Sequence, residues 1–377
     1  MNKTNLFWQV YLNLESEVLE LSKYIFFTDT NSHQLETYSA HIADLLVRVC
    51  VEIEAISKEL YFDNGGKKPR GSKDIYFDKD CLELLNKLCK TDSKVVKIVA
   101  TSFHLEKFEN KVLTPLKNAH KRSKVFWAKA YQAVKHDRYN SLHHGNVKAL
   151  LQSMGALFLL NIYYRDIKLT TKYLELHKLD MGFGSKIFTL EVPHQDNITA
   201  VINGEEFNNK VLKSTTCPYI AKYTDSVYKQ IVEARKKYLD DIKAYWKSQP
   251  ELKESAFIQQ MLEAGEREKK YPQSRVIPFW ELCQYRLNKK VPNHLPFEER
   301  KRLFVQTSEW KGQIRQINKH LKENELTPEN IQAEINHAGV LAGMELDRLF
   351  RNDFDRKSFV DGYCEIVLDK GNVRYSV

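Results

Sequence analysis

The sequence predicts a mainly α protein: an N-terminal helical bundle with a small β element, then a second, mostly helical region ending in a β-hairpin. Three observations carry this. Apolar residues recur at spacings of three and four through most of the first 165 positions. Between 180 and 215 glycines appear and the apolar period shortens to two. From 226 the helical period returns on strongly charged segments. The domain boundary is therefore expected near 215, giving a bundle with its β appendage over 1–215 and a helical domain over 216–377.

The elements follow in order. Residues 5–27 alternate apolar and charged positions with helical spacing. In 40–62, Ile42, Leu45, Leu46, Val49, Cys50, Ile53, Ile56 and Leu60 form one stripe of an amphipathic helix. Arg48 with Glu52, and Glu54 with Lys58, stand four apart on its other faces. A basic loop follows, Asp63-Asn-Gly-Gly-Lys67-Lys68-Pro-Arg70-Gly-Ser-Lys73, whose residue order excludes a Walker A motif. Lys67, Lys68 and Arg70 are candidate phosphate contacts, and a solvated connection is the plainer reading. Shorter helical patterns cover 79–90, 94–110 and 122–136. A strongly apolar helix begins at Val147. Met181 to Val192 and Ala200 to Gly204 read as strands and a turn. Helices are expected at 226–247, 252–270, 278–289, 296–323 and 328–350, with Thr327-Pro328 as a cap and first helical proline. Cys364 to Tyr375 reads as a hairpin turning at Lys370-Gly-Asn372.

Composition narrows the function classes. The formal net charge is +9, from 58 Lys+Arg against 49 Asp+Glu, which suits a phosphate-rich partner without requiring one. Six cysteines are scattered with no CxxC pair, as in a reduced cytoplasmic protein without a zinc site. Glu15, Glu17 and Glu20 interrupt the first apolar pattern, which does not read as a signal peptide. The longest apolar run, Met154–Leu160, is too short to span a bilayer, so no membrane association is expected. No metal-ligand cluster and no cofactor motif stand out. Asp353, Asp355 and Asp361 read as turn acids.

The most informative stretch is Lys135-His136-Asp137-Arg138-Tyr139-Asn140-Ser141-Leu142-His143-His144, between two helical patterns. A guanidinium holds phosphate through a planar fork of donors. An imidazole takes and returns a proton near neutral pH. Taken singly, Arg138 reads as a helix-end cation paired with Asp137 or Glu52, and the histidines as packing at a helix start. Taken together they are the parts needed to cleave RNA without a metal. His136 competes as the histidine of the set, or orients it.

Residues 40–175 resemble a HEPN domain (higher eukaryotes and prokaryotes nucleotide-binding), a small all-α bundle. The signature is an arginine, four to six residues, then a histidine. Arg138 with His143 gives four and Arg138 with His144 gives five; both fit. Trp127 to Arg138 and the hydrophobic helix after 147 resemble the family's surroundings, and Arg48 to Lys58 its acidic helix. Tyr139 departs from the small polar residue that usually follows the arginine. The resemblance implies a metal-independent endoribonuclease of the defence or toxin type, catalysed by Arg138 with His143 or His144. Its products would be a 2′,3′-cyclic phosphate and a 5′-hydroxyl. His136, Asp137 and Glu52 would support the site, and Lys135, Lys67, Lys68 and Arg70 would bind RNA. It also implies a homodimer and an antitoxin or defence-system partner. The rival reading is a catalytically silent RNA-binding or protein-interaction module.

Overall fold

In the computed structural model of this chain, residues 3–30, 33–68, 74–121, 125–194, 211–248, 250, 285–286, 288–304, 306–307 and 362–371 are described. The main helices are α1 (Lys3–Leu21), α2 (Ala40–Asp63), α3 (Glu83–Cys89), α4 (Phe108–Lys111), α5 (Phe126–His136), α6 (Arg138–Ser141), α7 (Val147–Arg165), α8 (Asp225–Ser248) and α9 (Phe297–Phe304). The chain divides into two units. The first comprises 1–196, 210–222 and 363–377, and the second 197–209 and 223–362. The boundary expected near 215 thus falls inside the first unit, between its strands Val211–Lys213 and Tyr219–Tyr223.

The organising element of the first unit is α7. Fifteen of its nineteen residues are buried, on every face, so it needs a coat. Helices α1, α2 and α5 supply it. The α2 stripe read from the sequence is entirely buried, from Ile42 to Leu60. Ser39 caps α2 by accepting from the Ile42 N–H at 3.1 Å, and Asn146 caps α7 by accepting from the Ala149 N–H at 3.0 Å. Arg48 is not paired within its own helix: it makes a bidentate bridge to Glu17 of α1, at 2.6 and 2.7 Å. The buried Glu15 carboxylate ties α1 to the 185–187 turn through the Ser185 hydroxyl and the N–H groups of Lys186 and Ile187.

Two small antiparallel sheets complete this unit. One has the order β2-β1-β4, from Val112–Leu113, Val96–Ile98 and Phe188–Thr189. The other has the order β3-β7-β6-β5, from Leu169–Lys172, Tyr363–Leu368, Tyr219–Tyr223 and Val211–Lys213. The helix expected at 94–110 is therefore replaced by β1, a loop and the one-turn α4. Its Val95-Val96-Lys97-Ile98-Val99 run is rich in β-branched residues, which fit a pleated surface better than a helix. The bundle was also expected to reach 175, but helix ends at Arg165 and β3 follows. Of the C-terminal hairpin, the first arm is present as β7. It lies inside the sheet against β3 and β6; the second arm lies outside the described residues.

The second unit contains α8, matching the helix read from 226–247, and α9 within the one read from 296–323. The helices read at 252–270 and 328–350, the strand at 200–204, the Thr327-Pro328 cap and the acids Asp353, Asp355 and Asp361 fall outside the described residues.

Candidate active site

The Arg/His stretch forms the connection from α5 to α7. Helix α5 ends at His136, and Asp137 starts the next turn. Its carboxylate accepts from the Asn140 N–H at 3.2 Å and from the Asn140 amide at 2.9 Å. These two bonds hold the Asp137 carboxyl below its ordinary range. Arg138 opens α6, and Leu142–His144 close the connection as one 3-10 turn. The far end is held as well. The Asn146 side chain that caps α7 also donates to the His143 carbonyl at 3.3 Å, and the Val147 N–H donates to the Thr37 carbonyl at 3.0 Å. Gly145 sits directly on Ala43 of α2: a Cβ placed there would stand 2.7 Å from the Ala43 Cβ. The segment is exposed yet fixed at both ends.

Its two histidines lie side by side. The His143 and His144 rings lie 4.1 Å apart between centroids, and the Tyr38 ring stands edge-on to His143 at 6.4 Å. Both histidines are exposed, and Tyr139 is 94% exposed, so it plugs nothing. The Arg138 guanidinium meets Asp44 of α2 at 3.5 Å, with both side chains about half exposed. An ion pair in that setting is worth under about 1 kcal/mol, so a phosphate could take the arginine from it. Asp44 and Tyr38 were not singled out in the sequence. Asp44 occupies the exposed position between Ala43 and Leu45 on α2, which was the only signal.

The supporting residues are dispersed. The His136 ring contacts the Gln132 amide at 3.1 Å, and the Lys135 ammonium sits over the Tyr131 ring at 5.1 Å; both turn back along α5. Glu52 lies eight residues beyond Asp44 on α2, about 12 Å along the axis. Burial raises its carboxyl pKa. Lys67 and Lys68 are exposed past the opposite end of α2, whose last residue, Asp63, stands about 28 Å along the axis from Asp44. Arg70 falls outside the described residues. Among the described residues, no group of three or more His, Cys, Asp or Glu is placed to hold a metal, and no helix is long and apolar enough to cross a membrane. The five described cysteines are buried thiols outside any disulfide.

Comparison with known proteins adds no relative: no family model matches the chain, and neither the curated proteins nor the solved structures give a match.

Proposed function

We propose that this protein is a metal-independent RNA endonuclease of the HEPN type, cutting RNA by attack of a ribose 2′-hydroxyl on the adjacent phosphate. The observation that carries the reading is the pair of imidazoles 4.1 Å apart, six residues or fewer from Arg138, on a connection capped at both ends. One histidine removes the 2′-hydroxyl proton as the O–P bond forms. The P–O5′ bond breaks, and a proton is returned to the leaving oxygen, by the second histidine or by the first. The Arg138 guanidinium stabilises charge on the phosphoryl oxygens, which raises the rate only as far as that contact strengthens in the transition state. The products are a 2′,3′-cyclic phosphate and a 5′-hydroxyl. A homodimer with facing sites and a defence-system or antitoxin partner belong to the same reading.

The test is cleavage of single-stranded RNA by the purified chain in EDTA. Arg138→Ala should abolish it with thermal unfolding unchanged, and His143→Ala and His144→Ala should separate the two imidazoles. Cleavage that needs a divalent metal, or that survives loss of both histidines, overturns the assignment. The second reading, a silent binding module, is favoured by the Arg138–Asp44 pair and by Tyr139 after the arginine. RNA binding without cleavage under these conditions selects it.

A further inference from the structure

A second surface of the first unit has the features of a nucleic-acid site. A cleft of about 670 Å³ opens where the start of α5, the middle of α7 and the β1–β2 region meet. That volume suits a nucleotide-sized ligand, since small-molecule sites run from about 300 to 1,000 Å³. Two of its lining rings stand in water: Phe108 is 74% exposed and Phe126 is 43% exposed. Exposed phenylalanines at the mouth of a cleft cost solvation energy, and a stacked base would recover it.

The charges around the cleft favour a polyanion. Lys117 lines it, the Lys148 ammonium lies 5.9 Å from the centre of the Phe126 ring, and the Lys121 ammonium donates to the Asn118 side-chain oxygen at 3.0 Å. Among the described residues none of these three lysines is paired with a carboxylate. Of the two lining acids, Glu191 is already engaged by the Thr216 hydroxyl at 2.6 Å and by Lys97 at 2.9 Å. Glu109 is the remaining exposed acid. The cleft also offers base-edge partners: the side chains of Thr114 and Gln152 line it with no hydrogen-bond partner among the described residues. Asn118 holds a left-handed backbone, φ 60°, fixed by its N–H donating to Asp92 at 3.0 Å.

We propose that this cleft binds one unpaired nucleotide of single-stranded RNA, its base stacked on Phe108 or Phe126 and its neighbouring phosphates on Lys117, Lys121 and Lys148. The choice of RNA rests on the endonuclease reading; the stacking and the charge do not. Lys148 is in the first turn of α7, four residues from His144, so a strand lying on it leads toward the imidazoles. An acidic peptide would use the lysines but would give the rings nothing to stack on.

The test uses the whole chain and a short single-stranded RNA carrying 4-thiouridine. Photocrosslinks should map to the segments bearing Phe108 and Phe126. Phe108→Ala with Phe126→Ala should weaken binding of that RNA about tenfold or more, since one stacked base is worth that much. The same RNA in a duplex should bind weakly to wild type and variant alike. Crosslinks confined elsewhere in the wild-type chain overturn the proposal, as does unchanged affinity in the double variant. Binding of fluorescent polyglutamate in place of RNA, lost in Lys117→Ala with Lys121→Ala, overturns it in favour of an acidic protein partner. Crosslinks at the cleft from a chain that cuts no RNA leave this site standing and remove the endonuclease assignment alone.

Discussion

Gly145 offers the sharpest test of how the Arg/His connection is held. Its φ of −78° is ordinary, so alanine there brings no backbone strain and the effect is steric. The added Cβ would lie 2.7 Å from the Ala43 Cβ and 2.9 Å from the Ala43 Cα. Carbon atoms rest about 3.5–4.0 Å apart, so something must move by about 1 Å. Neither neighbour is the end of a flexible side chain. Ala43 is fully buried in the first turn of α2, four residues from its Ser39 cap. The part that gives is therefore the 3-10 turn carrying His143 and His144. Overpacking of this kind costs about 1–3 kcal/mol. At about 2–4 °C per kcal/mol for a unit of this size, the melting temperature of Gly145→Ala should fall by about 2–12 °C. A displacement near 1 Å at a reacting group can cost about a hundredfold in rate, so cleavage should fall further than stability does. Thermal unfolding by circular dichroism and single-turnover RNA cleavage read the two effects. A double-mutant cycle isolates the contact. Ala43→Gly alone costs about 1 kcal/mol in a helix, yet it should partly rescue Gly145→Ala, with a coupling above about 0.5 kcal/mol. Wild-type melting and cleavage in Gly145→Ala, or strictly additive costs, would refute the reasoning.

Three further outcomes are expected. Asp44→Ala should leave the melting temperature within about 2 °C, because the pair it breaks is exposed, but should tighten RNA binding and steepen its salt dependence by freeing Arg138; a shallower salt slope counts against Arg138 as a phosphate ligand. Burial works against ionisation of Asp29, yet the N–H groups of Glu106 and Lys107 and the Asn110 amide outweigh it and hold its carboxyl below 3.8. Because that pKa is depressed on folding, the stabilisation is present above 3.8 and is lost as pH falls through the folded value. The urea-midpoint gap between wild type and Asp29→Asn should accordingly narrow on acidification below about pH 4, and a constant gap removes the linkage. Finally, replacing 225–361 with a short glycine–serine linker should leave the first unit folded, whereas stopping the chain at 224 should not, because only the second removes β7; equal protease resistance of the two would contradict this.

The helices of the first unit were legible because burial writes a period into them. The α2 stripe is buried residue for residue. The misreadings share one cause. Val95 to Val99 and Leu169 to Lys172 are short apolar or β-branched runs whose partners lie elsewhere in the sequence, at Val112–Leu113 and Phe188–Thr189 for the first and at Tyr363–Ile366 for the second. No local period reports a partner at that distance. The same holds at the candidate site. Arg138 and the histidines stood out by spacing, while Asp44 reaches Arg138 from α2 and Tyr38 reaches His143 from the segment before α2, both far away in sequence. Glu52, four residues from Arg48 and aligned with it on paper, lost that cation to Glu17 on another helix.

The pairing of β7 has a consequence for how the molecule comes into being. The Lys222 ammonium and the Glu365 carboxylate are 3.0 Å apart, so the chain leaves the first unit and returns to it at nearly the same point. During synthesis β6 is finished some 140 residues before β7 is made, about 7–28 s at ordinary elongation rates. Through that interval a nascent bundle carrying Arg138, His143 and His144 stands beside β3 and β6 with the strand between them missing. Unpaired strand edges are templates for any extended segment nearby. The newborn chain is thus receptive to strand capture, by a second nascent copy or by a chaperone, for as long as the ribosome takes to deliver residues 363–368.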